Sequence, residues 1–273
     1  MRAAVVGHVE WCEFVPVERV PSPGEIVTAA DGFFEPAGGG GVAAVHLARL
    51  AGEATLYTAL GDDDPAARSR ERLAELGVRV EAAVRPGRAT RRAFVFLDAG
   101  GERTITVVGE RLQPERDDEL DWDGLAAADA VYFCAGDVEA LRAAREARVL
   151  VATARAMDVL ESAGVELDAV VASGADPSER YRPLDPPPRY VVTTAGGAGG
   201  TWTGAEGRTG GWAAAEVPGP VADAYGCGDS FAAGLAFGLA ETGDPDAALE
   251  LGARCGASCL AARGPYGRVP DGA

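Results

Sequence analysis

The segment from Asp223 to Phe231 contains the residues whose types and spacing best support chemistry. It joins a turn containing Gly226 and Gly228 to an apolar stretch at helical spacing. Glycines let successive backbone N–H groups turn toward one point, and the positive end of the following helix dipole adds to that site. Asp229 falls in the first helical turn, where a carboxylate can take a proton from a hydroxyl. The segment predicts an anion-binding site with a base beside it; the alternative is a loop that only caps a helix.

Two other glycine-containing segments leave predicted strands and suit phosphate chemistry. Thr194 to Trp202 is rich in glycine, as expected of a backbone that wraps around a nucleotide phosphate. Ser173 to Asp176 also follows a strand, and its carboxylate could hold a hydrated metal ion. Because ligands of open α/β sheets bind at the carboxyl ends of the strands, these segments and Asp229 are expected to converge. Their convergence favours phosphoryl transfer.

A run of four glycines, from Gly38 to Gly41, precedes an apolar helical pattern over residues 42–50. Glycines before a helix allow the backbone to approach a ligand closely, although the same run is also typical of a plain flexible loop. His46 lies within the helical pattern and is interpreted as a packed residue rather than a ligand.

Composition excludes several functional classes. A net charge of −17 disfavours a nucleic-acid-binding surface, which needs clustered Lys and Arg. Five cysteines without a CxxC pair favour a reducing cytoplasm, and no apolar run approaches the length of a membrane span. Two histidines give little support to a zinc site or a Ser-His-Asp triad. We expect a single domain over residues 1–273, cytoplasmic, with no nucleic-acid or membrane partner.

The elements that must position these residues alternate between apolar strands and helical stretches, which predicts an α/β fold with a mostly parallel sheet. Two alternating stretches, 93–97 and 103–108, predict a β-hairpin outside that sheet. We expect a lid formed from about 10–36 and 88–110, with exposed strands that could pair two subunits as a homodimer. Four arginines flank the hairpin and are either contacts for an anionic substrate group or solvated: Arg88, Arg91, Arg92 and Arg103.

The chain resembles the ribokinase-like (PfkB) family of carbohydrate kinases over nearly its whole length. Asp223 to Phe231 is similar to the family's C-terminal signature, Asp-Thr-x-Gly-Ala-Gly-Asp-x-Phe. Three further matches are Thr194-x-Gly196-x-x-Gly199 with the nucleotide loop, Pro23-Gly24-Glu25 with an early Pro-Gly-Glu, and Gly38 to Leu50 with the N-terminal glycine-rich signature.

This resemblance implies a Rossmann-like three-layer core with a small β lid, and an ATP-dependent kinase for a hydroxyl of a sugar or sugar-like molecule. Asp229 would be the base, with the amides of Gly226, Cys227 and Gly228 stabilising the transferring phosphoryl group. The nucleotide would contact Thr194, Gly196 and Gly199, and Asp223 would lie near a K⁺ site found in some members. Asp176 and Ser173 take the places of the family's Glu and Asn around Mg²⁺.

The substrate-binding part departs from the family pattern. Cys12 stands where many members have an Asp, and Val42 where an Asn is usual. Glu10, Glu13 or Asp31 could supply a replacement carboxylate, Trp11 could stack on the substrate or belong to the core, and Gly38, Gly39 and Gly40 are expected to approach the substrate. The alternatives are a nucleoside kinase and a binding or regulatory protein without catalysis. A nicotinamide-dependent dehydrogenase is disfavoured because no GxGxxG follows the first strand.

Overall fold

The computed structural model describes residues 1–29, 31–205, 207–268 and 270. The strands are β1 (Ala3–Val6), β2 (Glu10–Pro16), β3 (Phe33–Ala37), β4 (Ala54–Leu60), β5 (Val78–Val84), β6 (Arg92–Leu97), β7 (Arg103–Val108), β8 (Ala130–Phe133), β9 (Val149–Thr153), β10 (Ala169–Ser173), β11 (Tyr190–Thr194), β12 (Gly200–Gly204) and β13 (Thr209–Trp212). The α-helices are α1 (Gly38–Ala51), α2 (Asp64–Glu75), α3 (Asp123–Ala126), α4 (Val138–Ala144), α5 (Met157–Ala163), α6 (Cys227–Thr242) and α7 (Pro245–Leu260).

Nine of these strands form a central sheet in the order β13-β12-β11-β10-β9-β8-β1-β4-β5. Pairing is parallel from β11 through to β5, and β12 is antiparallel to both of its neighbours. One face packs against α1 and α6, as in the contacts of Val5 with the cluster containing Leu47 and Leu235. The opposite face packs against α4 and α5 through a cluster containing Leu141 and Leu160. The three-layer α/β core predicted from the sequence is confirmed.

The four remaining strands form a separate sheet in the order β3-β2-β6-β7. The predicted hairpin is present as β6 and β7, which pair antiparallel, while β2 pairs parallel with β6. One face of this sheet has its own apolar cluster, including Cys12, Phe14 and Val95, packed against Tyr225 near the start of α6. The small sheet therefore contacts the part of the chain that carries Asp229. Its action as a lid stays a prediction.

Glycines allow α6 and α7 to pack closely. A Cβ on Gly234 would lie 2.9 Å from the Cα of Gly252, and one on Gly238 would lie 2.7 Å from the Cα of Ala248. Side chains at these positions would separate the two helices.

Some elements differ from the sequence-based predictions. Residues 26–29 do not form a strand, and α2 begins at Asp64, where Ala66 N donates to the Asp63 carboxylate at 3.1 Å and caps the helix. The sequence reading did not identify β5, because only one of its residues, Val78, is buried and the pattern is weak. Within the residues described, no helix combines the length and the apolar character required to cross a bilayer.

Candidate active site

The N-terminus of α6 has an open geometry suited to an anion. Gly226 precedes the helix with φ of 79°, a left-handed conformation that favours glycine, and no side chain caps the helix in the described chain. The first N–H groups of a helix have no intrahelical acceptor, so those of Cys227 and Gly228 are available to a ligand. A Cβ built on Gly228 would have no atom within 4 Å, which shows free space in front of this turn.

Asp229 lies in that first turn and faces the ends of two other elements. Its Oδ1 accepts a hydrogen bond from the Tyr132 hydroxyl of β8 at 3.3 Å. A Cβ on Gly39 of α1 would lie 2.9 Å from the same oxygen and 3.3 Å from Sγ of Cys134. Desolvation and the nearby charge of Glu179 raise the pKa of Asp229 to about 6, against the opposing effects of Arg155 and Tyr132. The carboxyl of Asp229 therefore changes charge near pH 6.

The glycine run at the start of α1 forms one wall of the site. Gly38 has φ of 76° and donates its N–H to the Tyr225 hydroxyl at 3.1 Å. A Cβ on Gly40 would lie 2.7 Å from the carbonyl oxygen of His8, so only glycine lets α1 approach the end of β1 this closely. Of the predicted substrate-contacting glycines, Gly39 faces Asp229 most directly.

Glu10, predicted to contact the substrate, lies beside this wall at the start of β2. Its Cγ would be 3.2 Å from a Cβ on Gly38, and its Oε1 is 3.2 Å from Nε of Arg91. Burial raises the pKa of Glu10, while the charges of Arg91, Arg111 and Arg155 act in the opposite direction. The structure therefore brings a carboxylate and an arginine next to the glycine run at the start of α1.

The other two predicted substrate side chains do not reach this pocket. Trp11 follows Glu10 in β2 and so points to the opposite face of the small sheet, where its ring stacks on Phe34 with centroids 5.9 Å apart. Asp31 lies in an exposed loop and forms an ion pair with Arg263. Neither is close to Asp229 because strand parity and loop position direct them elsewhere.

The two positions that depart from the family pattern belong to the core. Cys12 is fully buried, and its Sγ lies 3.5 Å from the Tyr225 hydroxyl. Burial raises the pKa of Cys12 to about 12, so the thiol stays neutral. Val42 is also fully buried and packs against the turn at Gly226, where an added Cβ would meet it at 3.0 Å. Both residues support the site from beneath rather than line it.

The glycine segment after β11 has two distinct structural roles. Cβ atoms on Gly196 and Gly197 would meet no atom within 4 Å, so this turn leaves room for a ligand. By contrast, a Cβ on Gly199 would lie 2.0 Å from the carbonyl oxygen of Trp212, so this glycine is required for packing. Thr194 ends β11, and its hydroxyl donates to the Ala172 carbonyl at 3.2 Å.

Asp223, predicted to lie near a monovalent cation, organises the turn before α6. It is fully buried, and its two carboxylate oxygens accept hydrogen bonds from Tyr225 N at 2.7 Å and Gly264 N at 3.1 Å. Burial raises its pKa. The carboxylate ties the turn to the C-terminal segment, and the predicted cation remains a prediction.

The residues predicted to bind a metal ion, Ser173 and Asp176, lie at the end of β10 and just after it. The Ser173 hydroxyl accepts a hydrogen bond from Asp176 N at 3.1 Å, and Oδ2 of Asp176 is 3.0 Å from the guanidinium of Arg155. Glu179 forms an ion pair with the same guanidinium. No group of three or more His, Cys, Asp or Glu side chains able to hold a metal occurs among the described residues.

Several groups around Asp229 were missed by the sequence reading. Tyr132, Arg155 and Glu179 each shift the pKa of Asp229. The charge of Arg111 lowers the pKa of the neighbouring Cys134. Arg155 lies two residues after β9, and Glu179 lies six residues after β10. Their position after a strand end was the only sequence feature that could have identified them. It did not single them out, because many charged residues follow strands.

The pfkB family carbohydrate kinase model matches residues 2–176 and 178–271 of the chain. An ATP-dependent ribose-1-phosphate kinase from Halopiger xanaduensis is 30% identical, over 94% of this chain and 91% of that protein. The ribokinase of Arabidopsis thaliana, solved with ribose and ATP, has a TM-score of 0.73 at 19% identity, covering 97% of this chain and 95% of that one. Adenosine kinase from Sinorhizobium meliloti has a TM-score of 0.78 at 18% identity, with coverages of 97% and 95%. These two structures share the fold.

Proposed function

Because this chain belongs to the pfkB family of carbohydrate kinases and is a phosphotransferase with an alcohol group as acceptor, we propose the following reaction. The enzyme transfers the γ-phosphoryl group of ATP to a hydroxyl of a sugar or sugar-like small molecule, with Asp229 as general base. The observation that carries the proposal is the carboxylate of Asp229 in the uncapped first turn of α6, with a pKa of about 6.

The residues around Asp229 have different roles in the proposed transfer step. Asp229 accepts the proton of the acceptor hydroxyl, and the hydroxyl oxygen forms the new bond to phosphorus as the bond to ADP breaks. The N–H groups of Gly226, Cys227 and Gly228 donate toward the oxygens on which negative charge is stabilised. The Tyr132 hydroxyl holds Asp229 in position through its hydrogen bond. Phosphoryl transfer depends mainly on such positioning and charge stabilisation, which suits this arrangement.

The nucleotide has room at two open turns. The free space at Gly196 and Gly228 allows backbone N–H groups to approach phosphate oxygens closely. Thr194 ends the strand that leads into the first of these turns. Gly199 allows the turn to pack against Trp212 and does not itself leave space for the nucleotide.

Two carboxylates, those of Asp176 and Glu179, would help to hold a Mg²⁺ ion brought by the nucleotide. Asp176 and Glu179 converge on the guanidinium of Arg155, which marks this position as favourable for a cation. Mg²⁺ commonly uses one or two carboxylates together with substrate phosphates and water, so a larger protein cluster is not required. Ser173 would act indirectly, by holding the turn of Asp176. Dependence on K⁺ near Asp223 stays a prediction.

The acceptor lies, in this proposal, between Asp229 and Glu10. The Halopiger xanaduensis relative is named for ribose 1-phosphate, which favours a sugar or a sugar phosphate as the acceptor here. Glu10 supplies a buried carboxylate beside Gly38, where it can accept hydrogen bonds from acceptor hydroxyls.

An ADP-release assay on Asp229→Asn tests the base. General-base catalysis contributes typically about 10²–10⁴-fold, so kcat is expected to fall by about that factor with little change in the KM for ATP. Asp246→Asn is the matched control, because Asp246 is an exposed aspartate in the first turn of the adjacent α7 and should keep full activity.

Two results would contradict the proposal in different ways. An Asp229→Asn variant that retains the wild-type kcat would remove the assigned base. A wild-type protein that binds ATP and Mg²⁺ in calorimetry, yet phosphorylates no member of a panel of sugars, sugar phosphates, polyols and nucleosides, would favour a binding or regulatory protein.

The predicted homodimer through the small sheet gains support from β7. All six residues of this strand are exposed, including Ile105 and Val107, and it lies at one end of the sheet. An exposed apolar edge strand commonly pairs with another chain. Light scattering on Val107→Lys should give a monomer if β7 forms the dimer contact, and an unchanged dimer would exclude that contact.

A further inference from the structure

Two cysteine side chains meet at the turn that opens α6. Sγ of Cys259, in the last turn of α7, lies 3.2 Å from the carbonyl oxygen of Tyr225, which shortly precedes Cys227. One turn earlier in α7, a Cβ built on Gly256 would lie 3.2 Å from the carbonyl oxygen of Cys227 itself. These contacts bring the ends of the two helices together, and the thiols of Cys227 and Cys259 hydrogen-bond each other.

The two thiols differ in their access to solvent. Both are free in the structure, but Cys259 is fully buried, whereas Cys227 is only half-buried. The other three cysteines are buried as well: Cys12, Cys134 and Cys255. Cys227 is therefore the cysteine that a small oxidant in solution reaches first, and Cys259 is the thiol beside it.

Cys259 is held in place, and Cys227 has room to move. A Cβ built on Gly267 would lie 2.6 Å from the Cα of Cys259, so the C-terminal segment packs tightly on this part of α7. Cys227 is the first residue of α6 and follows Gly226, whose φ of 79° favours glycine. A Cβ built on Gly228 would meet no atom within 4 Å in the described chain. A change in the distance between the two sulfurs is therefore accommodated by the first turn of α6.

We propose that Cys227 and Cys259 form a reversible disulfide when the protein meets a hydroperoxide, and that this bond stops phosphoryl transfer. Formation of the bond is independent of the proposed function, whereas its effect on activity rests on that function. In a reducing compartment, disulfides are usually transient and serve catalysis or redox sensing. Cys227 stands where the family signature has an alanine, so the signature does not supply this thiol.

The oxidation balances in two steps. The Cys227 sulfur attacks a peroxide oxygen, the O–O bond breaks, water or an alcohol leaves, and Cys227 becomes a sulfenic acid. The Cys259 sulfur then attacks that of Cys227, the S–O bond breaks, and the hydroxyl leaves as water with the proton that Cys259 lost. Together the thiols give up two electrons and two protons, which the hydroperoxide takes up. The hydrogen bond from Cys227 lowers the pKa of Cys259, which favours the attacking thiolate.

The disulfide would displace the groups proposed to carry out the transfer. The sulfurs of a disulfide are about 2.05 Å apart, so two thiols in hydrogen-bond contact must approach by roughly 1–2 Å. The first turn of α6 carries the N–H groups of Cys227 and Gly228 and the carboxylate of Asp229. Misplacing such groups by about 1 Å can lower a rate about 10²-fold.

Peptide mapping and kinetics on the same samples test the proposal. The wild-type protein is treated with hydrogen peroxide, alkylated, digested without reductant and analysed by mass spectrometry. A peptide pair linked through Cys227 and Cys259 is expected, together with a fall in kcat for ADP release of about 10²-fold. Dithiothreitol should remove the link and restore kcat. Calorimetry with ATP and Mg²⁺ does not depend on turnover, and the oxidised protein should bind ATP more weakly than the reduced protein.

Cys259→Ala removes the second thiol without touching the proposed transfer site. The reduced variant should be as active as wild type and should form no link. After peroxide treatment, dimedone, which labels sulfenic acids, should label Cys227 in this variant and not in the wild type.

Cys255→Ala is the matched control. Cys255 lies one turn earlier in α7, and a Cβ on Gly234 would lie 2.9 Å from its Sγ, so this thiol faces a different part of α6. The variant should lose and regain activity as the wild type does. A thermal melt of each variant establishes that it is folded.

Three outcomes would overturn the proposal. Absence of the linked peptides after peroxide treatment would exclude the bond. A linked protein with the kcat and the ATP affinity of the reduced protein would exclude its effect. Equal inactivation of Cys259→Ala, reversed by dithiothreitol, would assign the effect to another thiol. Reduced protein that turns over no acceptor would instead be a failure of the proposed function, and the link and the ATP affinity would still decide the proposal.

Discussion

Replacing Asp229 with asparagine should stabilise the folded protein while removing activity. The carboxyl has an ordinary pKa of 3.8 and a folded-state pKa of about 6, mainly because the folded protein desolvates it. Since the folded-state pKa is raised, ionisation of Asp229 disfavours folding, and this cost grows as the pH rises from 3.8 through about 6. Asparagine never ionises and can still accept the hydrogen bond from Tyr132.

The size of the gain follows from linkage. At ~1.36 kcal/mol per pH unit, the two pKa values correspond to about 3 kcal/mol at pH 8 and about half of that at pH 5. Residual solvent contact screens the charge, so about 1.5 kcal/mol at pH 8 is a conservative expectation. Urea unfolding followed by tryptophan fluorescence at both pH values measures the difference between variant and wild type.

The control for this measurement is Asp246→Asn, which alters an exposed aspartate in the first turn of α7. Its effect on the free energy of unfolding should stay within ~0.5 kcal/mol. An Asp229→Asn protein that is no more stable than wild type at pH 8, or whose gain is equal at the two pH values, would refute the assignment of a desolvated carboxylate.

Three further predictions concern the same site. The kcat of the wild-type enzyme should fall about tenfold per pH unit below about pH 6, as Asp229 becomes protonated, and Tyr132→Phe should move this limb to higher pH by several tenths of a unit because the hydroxyl stabilises the carboxylate. Gly39→Ala should lower kcat more than about tenfold, because its Cβ would lie 2.9 Å from the reacting carboxylate. Ser230→Ala should lower the free energy of unfolding by about 1–3 kcal/mol, because it leaves the buried His46 without its 2.8 Å partner.

Each of these predictions has an outcome that contradicts it. A pH profile that is flat down to pH 5 would mean that Asp229 does not limit the rate, and an unshifted limb in Tyr132→Phe would remove the role of that hydroxyl. Gly32→Ala, whose Cβ meets nothing closer than 3.5 Å, is the control for Gly39→Ala, and equal activities would show that the close approach is unimportant. An unchanged denaturation midpoint for Ser230→Ala would exclude the structural role of the hydrogen bond to His46.

The hydrogen bonds around Ser230 explain part of the turn geometry that the sequence motif only indicated. The Ser230 hydroxyl donates to the Gly226 carbonyl at 2.8 Å, so its single proton is used there. Nε2 of His46 is therefore the donor in the second contact. His46 was predicted to be a packed residue, and it is buried, but it also anchors the turn that opens α6.

Most of the central sheet could be predicted from the sequence. Strands β8, β9 and β10 are buried on both faces, apart from Ser173 at the end of β10, and β11 is at least half-buried, so all four have the pattern of apolar runs. The small sheet was predicted as a lid formed from about 10–36 and 88–110, but only its hairpin was recognised as paired strands. The pairing of β2 with β3 was not recognised because a long loop separates them. The outermost strand, β5, carries mixed polar and apolar residues and gave no clear pattern.

The sequence alone could not decide which face of a strand each predicted site residue takes. Glu10 and Trp11 were both expected at the substrate, yet adjacent residues of a strand point to opposite faces. Cys12 was read as a lost substrate contact, and Tyr225, far away in sequence, packs against it instead.

The sequence by itself determined the α/β class, the turn that opens α6 and the presence of a carboxylate within it. These features follow from local backbone preferences and from the period of apolar residues, which act over a few positions. Only the tertiary structure decided that Arg91 meets Glu10 and that Tyr132 meets Asp229, because the members of each pair lie far apart in the sequence. Their assembly depends on the order of the strands, with β8 beside β1 and β2 beside β6, and hydrogen bonding between distant segments sets that order.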